Sequence, residues 1–63
     1  MITTRFGSEV VITGVDRRGE WARMRRVADG ADREWRIADL RADTVEELQD
    51  ALASAPVYDG KGN

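Results

Sequence analysis

Three short stretches of the chain carry a strand-like pattern of apolar and polar positions, and turn signals separate them. Val10–Asp16 is rich in β-branched residues, which suit a pleated, half-buried surface. In Trp21–Val27, Ala22 and Met24 alternate with Arg23 and Arg25. In Arg33–Ala38, Trp35 and Ile37 alternate with Glu34 and Arg36. A period of two sends successive side chains to opposite faces of a sheet. Asp16-Arg17-Arg18-Gly19 has the aspartate-first, glycine-last order of a type I turn, and Asp29-Gly30 is a hairpin signal. Ile2–Phe6 reads as a short first strand, with Gly7-Ser8-Glu9 turning the chain after it. Gly14 weakens its strand and marks a bulge or bend.

The pattern changes at Thr44. Thr44-Val45-Glu46-Glu47 has capping-box spacing and predicts a helix over about 44–54. Val45, Leu48 and Leu52 fall on one face of it, with Ala51 and Ala55 beside them, and Pro56 ends it. Residues 56–63, which include Gly60, Lys61 and Gly62, read as a flexible tail. The expected fold is therefore mainly β: a small antiparallel barrel or curled sheet with one C-terminal helix. A helical alternative also fits the spacing. Trp21, Met24 and Val27 or Ala28 lie at helical intervals with Gly30 as a C-cap, and 33–42 follows Asp32 as a cap. That arrangement would be a winged-helix-like DNA-binding protein. Stretches of about seven residues between turns favour strands. Glu20-Trp21 before Ala28-Asp29 echoes Glu34-Trp35 before Ala42-Asp43, which points to two similar strand-turn units.

Size limits what such a chain can do. At 63 residues it is one domain, and a domain of this length buries only about 60% of its unfolded surface. No cysteine is available for a disulfide or a thiolate metal site, and no histidine for a base or ligand. No cofactor and no metal are expected. A Ser/His/Asp or Cys/His site cannot be assembled, so a non-enzymatic role is expected. The small core makes a homo-oligomer an expected route to added stability. Met1–Phe6 lacks the apolar stretch of a signal peptide, and no run is apolar enough for a membrane span. The expected setting is the cytoplasm, with no membrane partner.

Charge adds a candidate surface. Net charge is −2, and every basic residue but Lys61 is arginine. Arginine bias of this kind accompanies GC-rich bacterial genomes, and with the small size it suggests an accessory protein of a phage, plasmid or other mobile element. Arginine also recognises phosphate and carboxylate through its planar fork. Strand alternation leaves Trp21, Arg23 and Arg25 in a row opposite Ala22 and Met24, with Arg36 extending the row and Arg17 and Arg18 at the adjoining turn. A tryptophan among arginines offers base stacking and phosphate contacts. Nucleic acid and another protein are thus the two expected partner classes. Trp35, Ile37 and Leu40 could form a groove for a partner's peptide, but so small a domain needs them inside, and they read as core.

The succession Val10–Val15, Gly19, Trp21–Val27, Gly30, Trp35–Ile37 and Asp39-Leu40 resembles the SH3-like small barrel, in the group of Tudor, KOW and chromo-type modules. The resemblance is one of pattern and covers residues 2–43. It implies one SH3-like domain over 1–55, helix included, with a short 3₁₀ turn at 39–41 before the last strand. It also implies a binding role. The aromatic cage of Tudor domains has no recognisable counterpart in these residues.

Overall fold

The computed structural model describes residues 1–59. Its elements run β1 (Ile2–Thr4), β2 (Val10–Asp16), β3 (Trp21–Arg26), β4 (Asp32–Arg36), a 3₁₀ turn (Ile37–Asp39), β5 (Leu40–Ala42), α1 (Val45–Ser54) and β6 (Val57–Tyr58). β2, β3 and β4 form an antiparallel meander, and β6 adds parallel to β2, giving the order β4-β3-β2-β6. β1 pairs antiparallel with β5 in a second, two-stranded sheet. A single Thr3–Glu9 bridge joins β1 to the segment entering β2. Among the described residues, hydrogen bonding does not close into a barrel. The molecule is a curled sheet with one helix.

The turns explain why the meander forms. Asp16 is buried, and its carboxylate accepts from the Glu20 N–H at 3.1 Å. Gly19 N–H donates to the Asp16 carbonyl, with φ at 72°, a region costly for any residue with a Cβ. At the next turn, Asp29 accepts from the Ala31 N–H at 3.1 Å and from Arg26 Nε at 3.0 Å. The Ala31 N–H holds the Asp29 carboxyl below its ordinary pKa, with Arg26 acting in the same direction. In β2 the register shifts between Ile12 and Gly14. This bulge reverses the inside-outside alternation: Ile12 faces Met24 on the inner side, and Gly14 faces Arg23 on the outer side.

The core is small. Val10, Ala22, Met24 and Leu40 are buried, and Ile2, Ile12, Trp35, Ile37, Leu48 and Leu52 pack against them half-covered. Full burial of a side chain such as Met24 contributes roughly 1.5–3 kcal/mol. The helix contributes no buried residue of its own. Its start is held by Thr44, whose hydroxyl accepts from the Glu47 N–H at 3.1 Å, while Glu47 reaches back to the Asp43 N–H at 3.3 Å. No helix among the described residues is long and apolar enough to cross a membrane.

Several expectations need correction. The first strand stops at Thr4, because the chain folds back there: Gly7 N–H donates to the Thr4 carbonyl, and Phe6 N–H to the Thr4 hydroxyl. The strand expected over 33–38 spans Asp32–Arg36, and the 3₁₀ turn lies at Ile37–Asp39 rather than 39–41. Leu40 must be buried, so it enters β5 instead of the turn. The helical alternative is not adopted, since 21–26 and 32–36 are strands. Val45, placed on the apolar helix face by spacing, is 71% exposed in the first turn. Residues 56–59 do not begin a loose tail: Val57 and Tyr58 pair with Val15 and Asp16. The remainder of the expected tail, 60–63, lies outside the described residues. The Trp21 and Trp35 echo is not a structural repeat either. Trp21 pairs with Arg36 and Trp35 with Ala22, so the indoles occupy opposite faces of the sheet.

Candidate binding site

The outer face of the larger sheet carries the residues expected from the sequence. Arg23 and Arg25 are exposed and Trp21 half-buried on this side, while Ala22 and Met24 are buried on the other. Arg36 lies opposite Trp21, with its guanidinium 5.0 Å from the indole centre. Trp21, Arg23, Arg25 and Arg36 are therefore brought together. Arg17 and Arg18 sit exposed on the turn between β2 and β3.

Two arginines of this face, Arg17 and Arg25, are answered by the chain's own acids. Arg25 Nε lies 3.2 Å from Asp32, its cross-strand neighbour, and Arg17 Nε lies 3.1 Å from Asp59. Arg23 and Glu34 are neighbours in register but form no ion pair; both engage Tyr58 instead. Exposed ion pairs like those of Arg25 and Arg17 add about 0–1 kcal/mol each. Their larger consequence is electrostatic: an arginine beside a carboxylate offers less net attraction to a phosphate.

Tyr58 was not foreseen as part of this face. Its ring packs over Gly14, where a Cβ would stand 3.0 Å from Cδ1. The Arg23 guanidinium lies 4.1 Å from the ring centre, and the phenol donates to Glu34 at 2.7 Å. Burial raises the Tyr58 pKa far above its ordinary 10.0, and the bond to Glu34 adds to the shift. The only sequence signal was a glycine opposite an arginine, which leaves room for a ring without saying which ring fills it.

A pocket opens at the other side of the sheet, beside Trp35, which its sequence pattern places in the core in preference to a peptide groove. It has a volume of about 160 Å³ and lies between the β1–β2 turn and strands β3 and β4. Val10 and Met24 line it beside Phe6 and Trp35, and Arg26 and Arg33 also line it. Phe6 is 69% exposed, although it meets Trp35 edge-on, with ring centres 6.1 Å apart and planes at 82°. Such an aromatic exposed beside a pocket is a feature of recognition sites.

Asp39 braces both aromatic walls. It accepts from the Trp35 indole Nε1 at 3.0 Å and lies 3.6 Å from Arg5. The Arg5 guanidinium in turn covers the Phe6 ring at 5.1 Å. Of the lining arginines, Arg26 is tied to Asp29 at 3.0 Å, whereas Arg33 has no ion-pair partner among the described residues. The pocket therefore combines an apolar slot with an arginine, Arg33, that acts on Asp29 only through its field and forms no direct ion pair among the described residues. Sequence reasoning missed it because Phe6 was assigned to a strand and Trp35 to the core. Among the described residues no group of three or more histidines, cysteines, aspartates or glutamates could hold a metal ion.

No protein-family model matches this chain, and no curated protein and no solved structure is significantly similar to it.

Proposed function

We propose that the protein is a small SH3-like binding module that captures a protein segment through the Phe6–Trp35 pocket. The segment presents an apolar side chain to the slot and an acidic residue to Arg33. The observation that carries this is the exposed Phe6, held edge-on to Trp35 by the Arg5–Asp39 brace over an apolar floor. An anchor side chain in a preformed pocket is where interfaces concentrate their binding energy. A binding role, rather than catalysis, is supported by a chain without histidine or cysteine. The SH3-like assignment is supported by the β2-β3-β4 meander, the Thr3–Glu9 handover to β1, and the 3₁₀ turn that leads into β5 beside β1. A cytoplasmic setting and an origin in a bacterial mobile element belong to the same proposal.

A protein ligand is favoured over nucleic acid because Arg25 and Arg17 are already matched by the chain's own carboxylates. The overall charge is also negative. Nucleic-acid binding depends on uncompensated cations that release counterions. Selection from a random peptide display library tests the proposal. Enriched sequences should share an apolar residue beside aspartate or glutamate. Binding of a synthetic enriched peptide should weaken at least about tenfold in Phe6→Ala and in Arg33→Glu, since a lost anchor or charge contact costs about 1.4 kcal/mol or more. No enrichment, together with salt-sensitive quenching of tryptophan fluorescence by mixed oligonucleotides, would return the function to the arginine face.

A further inference from the structure

We infer that two copies of the chain associate by pairing their β4 edges antiparallel across a two-fold axis at Trp35. β4 ends the larger sheet, with β3 on one side and, among the described residues, no strand on the other. The phase of its free hydrogen-bonding groups follows from two bonds at its ends. Ile37 N–H donates to the Glu20 carbonyl, and Arg26 N–H to the Ala31 carbonyl. Hydrogen-bonded pairs alternate in an antiparallel ladder. Ala31, Arg33, Trp35 and Ile37 therefore direct their main-chain groups toward β3. Asp32, Glu34 and Arg36 direct theirs away from it, toward the open edge.

Only some two-fold registers satisfy those groups without opposing like charges. An axis at Glu34 sets one Glu34 against the other. An axis at Arg33 sets Arg33 against Arg33 and Asp32 against Glu34. An axis at Arg36 opposes two arginines. An axis at Trp35 sets each Glu34 opposite the second copy's Arg36, as a hydrogen-bonded pair whose main-chain groups both face the edge. The two Trp35 residues then form the close, non-hydrogen-bonded pair at the axis, on the inner face. Opposite charges and aromatic pairs are the favourable cross-strand combinations, and like charges the unfavourable ones. The segment is thus complementary to itself in that one register. A dimer formed this way has closed two-fold symmetry and covers the exposed edge. It also extends a domain whose own core consists of Val10, Ala22, Met24 and Leu40.

Light scattering and sedimentation of the purified chain, with circular dichroism to verify folding, test this directly. The unmodified chain should be dimeric at millimolar concentration and dissociate on dilution. Glu34→Arg opposes arginine to Arg36, and Arg36→Glu opposes glutamate to Glu34, so each variant alone should be monomeric. Mixed together they should form a heterodimer, because each introduced arginine then faces an introduced glutamate and each remaining Arg36 faces a remaining Glu34. The charge pairs are restored only between the two variants, so folding defects cannot imitate that result. If the unmodified chain stays monomeric at millimolar concentration, the proposal is overturned. It is overturned equally if folded variants dimerise alone, or if folded variants fail to associate when mixed.

Discussion

Tyr58 donates its phenolic hydroxyl to Glu34 at 2.7 Å, joining the last described strand, β6, to β4 across the outer face of the sheet. Two intervening strands separate these residues, so the contact spans the whole width of the larger sheet. It works because Gly14 has no Cβ and lets the ring lie against the β2 backbone.

Gly14→Ala should therefore loosen β6. The new Cβ would stand 3.0 Å from Tyr58 Cδ1, and the Arg23 guanidinium 4.1 Å from the ring centre leaves the ring little room to withdraw. We expect a loss of about 1 kcal/mol, at the lower end for overpacking. Amide exchange should quicken at Val15 and Arg17, whose N–H groups donate to the Pro56 and Tyr58 carbonyls. Denaturant unfolding together with hydrogen exchange checks both expectations.

Alkaline titration reports on the same contact, because Tyr58 is the only tyrosine. In the folded protein its pKa lies above the ordinary 10.0, so an unfolded chain loses the proton first. The stabilisation is fully present below pH 10.0 and is lost as pH rises from there through the folded-state value. Tyrosinate absorbance of the folded protein should rise later than that of the denatured chain. Tyr58→Phe should remove this alkaline component of instability. At neutral pH it should cost about 1 kcal/mol for the lost hydrogen bond.

Thr44→Ala should act on the helix rather than on the sheet. Only the half-covered Leu48 and Leu52 tie the helix to the core, and Thr44 satisfies the Glu47 N–H at its first turn. The expected cost is about 1 kcal/mol, typical of a lost N-cap. Helical ellipticity near 222 nm should fall before the sheet unfolds, which a thermal melt followed at two wavelengths can resolve.

The pattern of local elements was legible in the sequence, and the way they meet was only partly so. Ala22 and Met24 turned inward and Arg23 and Arg25 outward, because alternation and two strong turns leave β3 no other register. Thr44 capped the helix as its spacing implied. Phe6 was misplaced because a run from Ile2 reads as strand, whereas the Thr4 hydroxyl and carbonyl close a turn that only the folded chain reveals. β6 was missed because two residues after a proline carry no periodicity. Its pairing depends on Gly14 and Glu34, distant in sequence. The pocket was missed for a related reason. Trp35 is both core and wall, and hydrophobicity alone does not separate those roles.

Asp39→Ala tests whether the pocket is preset. The substitution removes the acceptor of the Trp35 indole and the carboxylate beside Arg5. The half-buried indole N–H is then left without its partner, at a cost of about 1 kcal/mol. Peptide affinity should fall by more than stability does, because Phe6 and Trp35 lose their common brace. Equal losses in binding and stability would mean that Asp39 serves only the fold.

The two indoles report separately on the two faces of the sheet. Trp35 lies in the pocket and Trp21 on the outer face, and each gives its own side-chain N–H resonance in a proton–nitrogen NMR spectrum. Titration with a peptide selected on the protein, carrying an apolar residue beside an acidic one, should shift the Trp35 indole and the Phe6 and Arg33 amides. The Trp21 indole and the Arg23 and Arg25 amides should remain in place. Shifts confined to Trp21, Arg23 and Arg25, with the peptide or with an oligonucleotide, would contradict the assignment of the Phe6–Trp35 pocket as the recognition site.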